Sequence, residues 1–160
     1  MPFLRFLIFL SLTIWLGGII FFAFVLAPTA FSPGLLPNRH LAGLIVGQSL
    51  DRLHWIALAS GVIFLIASML YSYHSIGTAR PLAARHVLIF AMLLLTLISQ
   101  FSITTKMHTI RTEVGVIDSI APDDPRRVEF ERLHGLSEKF EGTVLFLGLF
   151  ALYSTTQSLR

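Results

Sequence analysis

From Phe6 to Ala27 the chain carries no charged side chain, and the run stops at Pro28. A helix needs roughly 20 apolar residues to cross about 30 Å of hydrocarbon. In lipid, only structures that pair their own backbone groups are tolerated. The run is therefore read as a membrane-spanning helix. It is too long for the apolar core of a cleaved leader and lacks a well-placed small-residue cleavage site, so a retained span is expected. Three further runs follow. The second covers about 53–73. The third covers about 86–108, rich in leucine to Ile103 and polar from Thr104 to Arg111. The fourth covers about 133–155; its strongly apolar part, Phe140 to Tyr153, is short, so its helix is expected to begin near Arg126. The expectation is an all-α, integral membrane four-helix bundle, with residues 1–160 forming one four-span domain. The connections are Phe31 to Asn38, His74 to Arg85, and Thr112 to Pro125. The mildly amphipathic segment Arg39 to Arg52 either lies at the interface or extends the second span.

Composition agrees. Hydrophobic residues make up 54% and charged residues 13% of the chain, about half the charge of a soluble domain. With no cysteine, disulfides and thiolate metal sites are excluded. The net charge of +3 does not point to nucleic acid, because the basic residues sit in short flanks beside apolar runs, where anionic headgroups lie. The lipid bilayer is the expected environment, with a second copy or another membrane protein as the candidate protein partner. Four spans put both termini on one side with Arg5, Arg80, Arg85 and Arg160, and put the other eight Lys and Arg and all nine acids on the opposite side. The flanks of the first span, with Arg5 before it and no Lys or Arg after it until Arg39, favour termini in the cytoplasm of a bacterial inner membrane.

Alternating spans gather the polar chemistry at one end. Gln48, Ser49, Asp51, Arg52 and His54 open the second span. Gln100, Thr104, His108 and Arg111 close the third, spaced along one helical face. Glu131, His134, Glu138 and Glu141 open the fourth, again spaced for one face, with Arg132, Ser137 and Lys139 beside them. Asp51/His54 and Glu131/His134 are two carboxylate-x-x-His pairs, the spacing from which helix bundles build metal sites. Imidazole with carboxylate suits a transition metal, and two histidines at one depth on different helices suit haem b. The metal candidates are His54, Asp51, His134, Glu131 and Glu138. The cofactor-binding candidates are His54, His134, His108, Trp15 and Gly18, with Gln100, Arg111, Arg132, Glu141 and Ser137 completing the polar site. The plainer reading is a solvated, ion-paired helix end. Ionisable groups inside a span resist that reading, because each costs roughly 2.5–3.5 kcal/mol at the bilayer centre. His74, His86 and His40 are read as solvated. In the first span, Trp15-Leu-Gly-Gly18 serves close helix packing, or sets a cofactor against the glycines with Trp15 as a wall.

Trp15 to Gly18, Gly47-Gln-Ser49 followed by His54, and Phe130-x-Arg-Leu-His-Gly-Leu-Ser137 together resemble the transmembrane-protein-205-like family, also described as domain of unknown function DUF4149. The likeness covers nearly the whole chain and is most specific in the last motif. It implies a four-helix membrane protein without an established activity, and it points to His54, His134, Gly135 and Ser137. The Trp-x-Gly-Gly element is also distantly similar to CopD-like copper proteins and to the HemJ-type protoporphyrinogen oxidase. No histidine precedes Trp15 and no Met-rich copper motif is present. Three functions follow: a haem- or metal-binding protein, which if an enzyme would be a membrane redox protein; a transport or permeation component for a cation or metal complex; and a structural or assembly factor. No Gly-x-Ser-x-Gly element and no phosphate loop is present.

Overall fold

A computed structural model describes residues 1–78 and 83–158. Four helices follow one another up and down. Helix α1 runs from Pro2 to Ala30, α2 from Arg39 to Ile76, α3 from Ala84 to Val114 and α4 from Pro125 to Ser158. A single 3₁₀ turn, Ile117–Ser119, lies between α3 and α4. No strand occurs among the described residues. Helix α1 packs on α2, α2 on α3, α3 on α4, and α4 returns to α1, closing the bundle. Helices α1, α2 and α3 are long and apolar enough to cross a membrane. With the bundle they build, they mark the protein as an integral membrane protein.

The segment 39–52 does not leave the helix to lie on the surface. It continues straight into α2, whose 38 residues reach about 57 Å at 1.5 Å per residue, well beyond the hydrocarbon. Local chemistry sets its ends. Asn38 Oδ1 accepts from the Leu41 N–H at 2.9 Å, an N-cap. Gly77 takes φ +74 and its N–H donates to the Tyr73 carbonyl, a left-handed C-cap that glycine adopts at little cost.

Two helices widen locally to π geometry, α1 over Phe22–Leu26 and α3 over Ser99–Thr104. The first has an evident cause. Pro28 lacks an N–H, and its ring would press on the carbonyl one turn back. In the wider turn before it, the Ala27 N–H reaches back to the Phe22 carbonyl.

The core is a column of Ile8, Leu12, Trp15 and Ile19 from α1 against Ala57, Phe64 and Ala67 of α2, Ile89 and Met92 of α3, and Val144 and Ala151 of α4. The α1 residues recur at i, i+4, i+7 and i+11, one stripe of a helix. Large apolar side chains, among them Phe6, Phe24, Phe90, Phe146 and Phe150, are exposed around the outside. Such coverage suits lipid rather than water.

The start of α4 is tied down electrostatically. The Arg126 N–H donates to Asp124 Oδ1 at 2.9 Å, and the Arg126 guanidinium grips the same carboxylate at 3.0 and 2.8 Å. These bonds hold the Asp124 carboxyl down to about 2. A depressed folded-state value means that the contribution is complete above the ordinary Asp range near 3.9 and is lost as pH falls toward about 2. The first turn of α4 is therefore expected to loosen only below about pH 4. Amide exchange of residues 126–129 checks this; an Asp124 carboxyl titrating in the ordinary range would refute it.

Candidate functional site

Inside the polar end of the bundle, one histidine is held from two sides. His54, on α2, is 1% exposed. Its Nδ1 lies 2.7 Å from Gln100 Oε1 of α3, and its Nε2 lies 2.7 Å from Glu141 Oε1 of α4. Gln100 Nε2 donates in turn to Asp51 Oδ1, one helical turn before His54. The result is a hydrogen-bonded chain, Asp51–Gln100–His54–Glu141, that joins three helices. Gln100 is buried and the Glu141 side chain is 14% exposed.

The chain constrains which groups donate. The Gln100 amide must donate to the Asp51 carboxylate, because the flipped amide would set its carbonyl oxygen against that carboxylate. Its Oε1 then faces His54, so Nδ1 carries a hydrogen and donates. That leaves Nε2 and the Glu141 carboxyl facing each other. A proton between them can sit on either atom, as imidazolium with carboxylate or as neutral imidazole with carboxylic acid. Gln100 sits in the π segment of α3. Widened turns of this kind recur at functional sites. Beside it, Ser99 Oγ is buried without a hydrogen-bond partner.

The other expected residues are distributed differently. On α4 the predicted face of Glu131, His134, Glu138 and Glu141 does not enter the bundle together. Phe130, Leu133, Ser137 and Phe140, one register position earlier, face inward: Leu133 and Ser137 are buried, and Leu133 forms a small apolar core with Ile103 and Ile110, against which Phe130 and Phe140 pack. The reason is that apolar burial outweighs the charges' mutual attraction, so the charged stripe turns outward. Glu131 is exposed and bonds to Arg127 at 3.0 Å; His134 is exposed and lies 3.3 Å from Glu138. Arg132 pairs with Glu129 on the surface. Of the stripe, Glu141 alone reaches His54. The two carboxylate-x-x-His pairs thus part company: Asp51 and His54 share Gln100, whereas Glu131 and His134 each bond elsewhere. Among the described residues, no three His, Asp or Glu side chains converge as a metal-binding group.

His108 and Arg111 lie farther out on α3. With His40, Gln48 and Thr112 they line a cleft of about 290 Å³. Trp15 is in the core, 1% exposed. A Cβ placed on Gly61 of α2 would lie 2.6 Å from its ring, and one on Gly18 would lie 2.6 Å from Leu53 Cδ1. The tryptophan and the second glycine thus serve the α1–α2 contact; Gly17 faces open space.

One polar cluster escaped the sequence reading. At the opposite end, His86 is 2% exposed rather than solvated. Its Nε2 is 2.7 Å from Ser68 Oγ, and the buried Arg85 donates to Ser68 and Ser72 at 2.7 Å each. Ser68 and Ser72, one turn apart on α2, were its only signal. Arg5 donates to the Tyr71 hydroxyl nearby. Arg80 and Arg160, invoked for orientation, lie outside the described residues.

The family model described as domain of unknown function DUF4149 matches residues 10–115, more than half of the chain. The chain belongs to that family. The match takes in Trp15, Asp51, His54, Gln100 and Arg111, and ends before α4 with Glu141. No curated protein and no solved structure gives a significant match.

Proposed function

We propose that this member of the DUF4149 family is a cation transport or permeation component in which the His54–Glu141 pair takes up and releases a proton. The observation that carries the reading is the hydrogen-bonded chain Asp51–Gln100–His54–Glu141, buried at His54 and Gln100 and half-buried at its two carboxyl ends. A buried ionisable pair inside a span is costly and is usually functional. With the shared proton the pair is neutral overall. Release of that proton leaves neutral imidazole beside carboxylate, net −1, and removes the hydrogen between Nε2 and Glu141 Oε1, so the two states favour different arrangements of α2 against α4. With the termini in the cytoplasm of a bacterial inner membrane, the polar end faces outward. Four helices are few for a transport path, so a homo-oligomer completes it. The likeness to transmembrane-protein-205-like proteins, and more distantly to CopD and HemJ types, belongs to this proposal and rests on the quoted motifs.

Proton flux into dye-loaded liposomes tests the reading. Wild-type protein is expected to carry flux above that of empty vesicles, and Glu141→Gln and His54→Gln to reduce it at least about tenfold, the scale of one lost 1.4 kcal/mol interaction or more. Glu138→Gln, on the outer face, should leave it intact. Absence of flux, or flux that survives both inner substitutions, rules the reading out.

The second reading is a haem b or transition-metal protein. Imidazole beside carboxylate, as His54 and Glu141 stand, is donor chemistry that suits it; Asp51, His134, Glu131, Glu138 and His108 are the further candidates and do not converge on that pair. Any such ligand must first displace the bonds now made by both ring nitrogens. A Soret band or stoichiometric metal in purified protein would establish this reading in place of the first. Loss of a co-purifying membrane protein in His54→Gln, without flux or metal, would instead favour an assembly factor.

A further inference from the structure

Arg111 presents a problem of its own. Its guanidinium lies between α3 and the outer end of α2, against bare backbone. Nη1 donates to the Gly43 carbonyl at 3.3 Å. A Cβ on Gly43 or Gly47 would come within 3.3 and 3.4 Å of its Nη2 and Nη1. Phe130 of α4 stacks beneath it, 5.2 Å from ring centre to Cζ. These contacts position the group but leave its charge unanswered. Arginine offers five N–H donors; Nε is buried and has no acceptor. Among the described residues no carboxylate lies within ion-pair distance of it. A half-buried cation without an anion is an expensive arrangement.

The surroundings indicate what the cation is for. The cleft beside Arg111 is lined by His40, Gln48, His108 and Thr112, with no acid. His40, Gln48 and His108 each have an N–H to donate, while the Thr112 hydroxyl donates to the Thr109 and His108 carbonyls of its own helix. The cleft is open on one side: His108, Gln48 and Thr112 are exposed. It lies at the end of the bundle where α2 and α3 extend past their apolar runs, on the headgroup side of the hydrocarbon. Gly43 and Gly47, lacking a Cβ, keep the space for the guanidinium clear.

We propose that the cleft between the outer ends of α2 and α3 binds a phosphate group, with Arg111 as the charged ligand and His40, His108 and Gln48 as surrounding donors. A guanidinium fork fits two oxygens of a phosphate at once. The group reaches the site either as a lipid headgroup or as free phosphate. The site is separate from the His54–Glu141 chain and stands or falls without it.

Native mass spectrometry of the detergent-purified full chain tests this with three probes: phosphatidylglycerol, a phosphate-free glycosyl diacylglycerol and inorganic phosphate. Phosphatidylglycerol is expected to bind at least about tenfold more tightly than the glycolipid, one factor of ten per 1.4 kcal/mol. Arg111→Gln should abolish that preference. Arg111→Lys keeps the charge but not the fork; it should weaken binding several-fold while its thermal unfolding matches wild type, which separates loss of the ligand from loss of the fold. Arg111-dependent binding of inorganic phosphate as well would assign the site to free phosphate; retention of the lipid alone would assign it to headgroups. Equal retention of both lipids without phosphate binding, or a preference unchanged in both variants, overturns the proposal.

Discussion

His54→Leu is expected to destabilise the bundle by about 3–5 kcal/mol, the cost of removing one partner from a buried charge pair. The loss of two hydrogen bonds does not explain a number of that size. Interhelical hydrogen bonds in membranes average only about 0.6 kcal/mol each. The larger effect comes from what remains. Glu141, with its side chain 14% exposed, loses its base, and Gln100 Oε1 loses its donor. Three helices then meet around unsatisfied polar groups. Converting His54, Gln100 and Glu141 together to leucine should recover much of the loss, because an apolar replacement leaves nothing unpaired. Asp51, half-buried at the end of the chain, can be left in place. Unfolding in mixed detergent reads both variants. A single variant as stable as wild type would show that the chain contributes nothing to the fold. A triple variant no better than the single would place the cost in packing rather than in stranded charge.

Gly148→Ala should cost about 1–3 kcal/mol through overpacking, and Gly148→Leu should prevent α4 from docking. A Cβ at position 148 would lie 2.2 Å from Leu16 Cδ2 and 3.1 Å from Met92 Cε. Both neighbours are themselves buried, Met92 fully and Leu16 to 5% exposure, so Leu16 has no free volume into which to turn. The same substitution at Gly142, two turns earlier on α4, meets nothing within 4 Å. There the helix propensity of alanine dominates, and a gain of up to about 1 kcal/mol is expected. The opposite signs of one chemical change on one helix make the pair a sharp measurement. Equal effects at both positions would contradict the close approach of α1, α3 and α4 at Gly148.

Much of this protein is legible in its sequence. Uncharged runs long enough to cross hydrocarbon fix the first three helices, since lipid tolerates no unpaired backbone. Alternation of direction then brings Asp51, His54, Gln100 and Glu141 to one end without any knowledge of packing. Even the length of α4 was foreseeable, because the short apolar run Phe140 to Tyr153 requires an earlier start. What periodicity cannot supply is the rotation of each helix about its axis. On α4 the stripe of Glu131, His134 and Glu138 and the stripe of Phe130, Leu133 and Ser137 differ by one residue, about 100°. Spacing ranks them equally. The tertiary structure chose the apolar stripe, because Leu133 could be buried against Ile103 and Ile110, and it thereby sent His134 to the surface and left His54 to Glu141. For the same reason His86 went unrecognised: whether a histidine at a helix end is solvated or enclosed depends on the serines that a neighbouring helix turns toward it. Sequence alone determined which residues share a depth in the membrane, through length and hydrophobicity. Only the packed bundle decided which of them touch, because contact is settled by competition among faces on different helices.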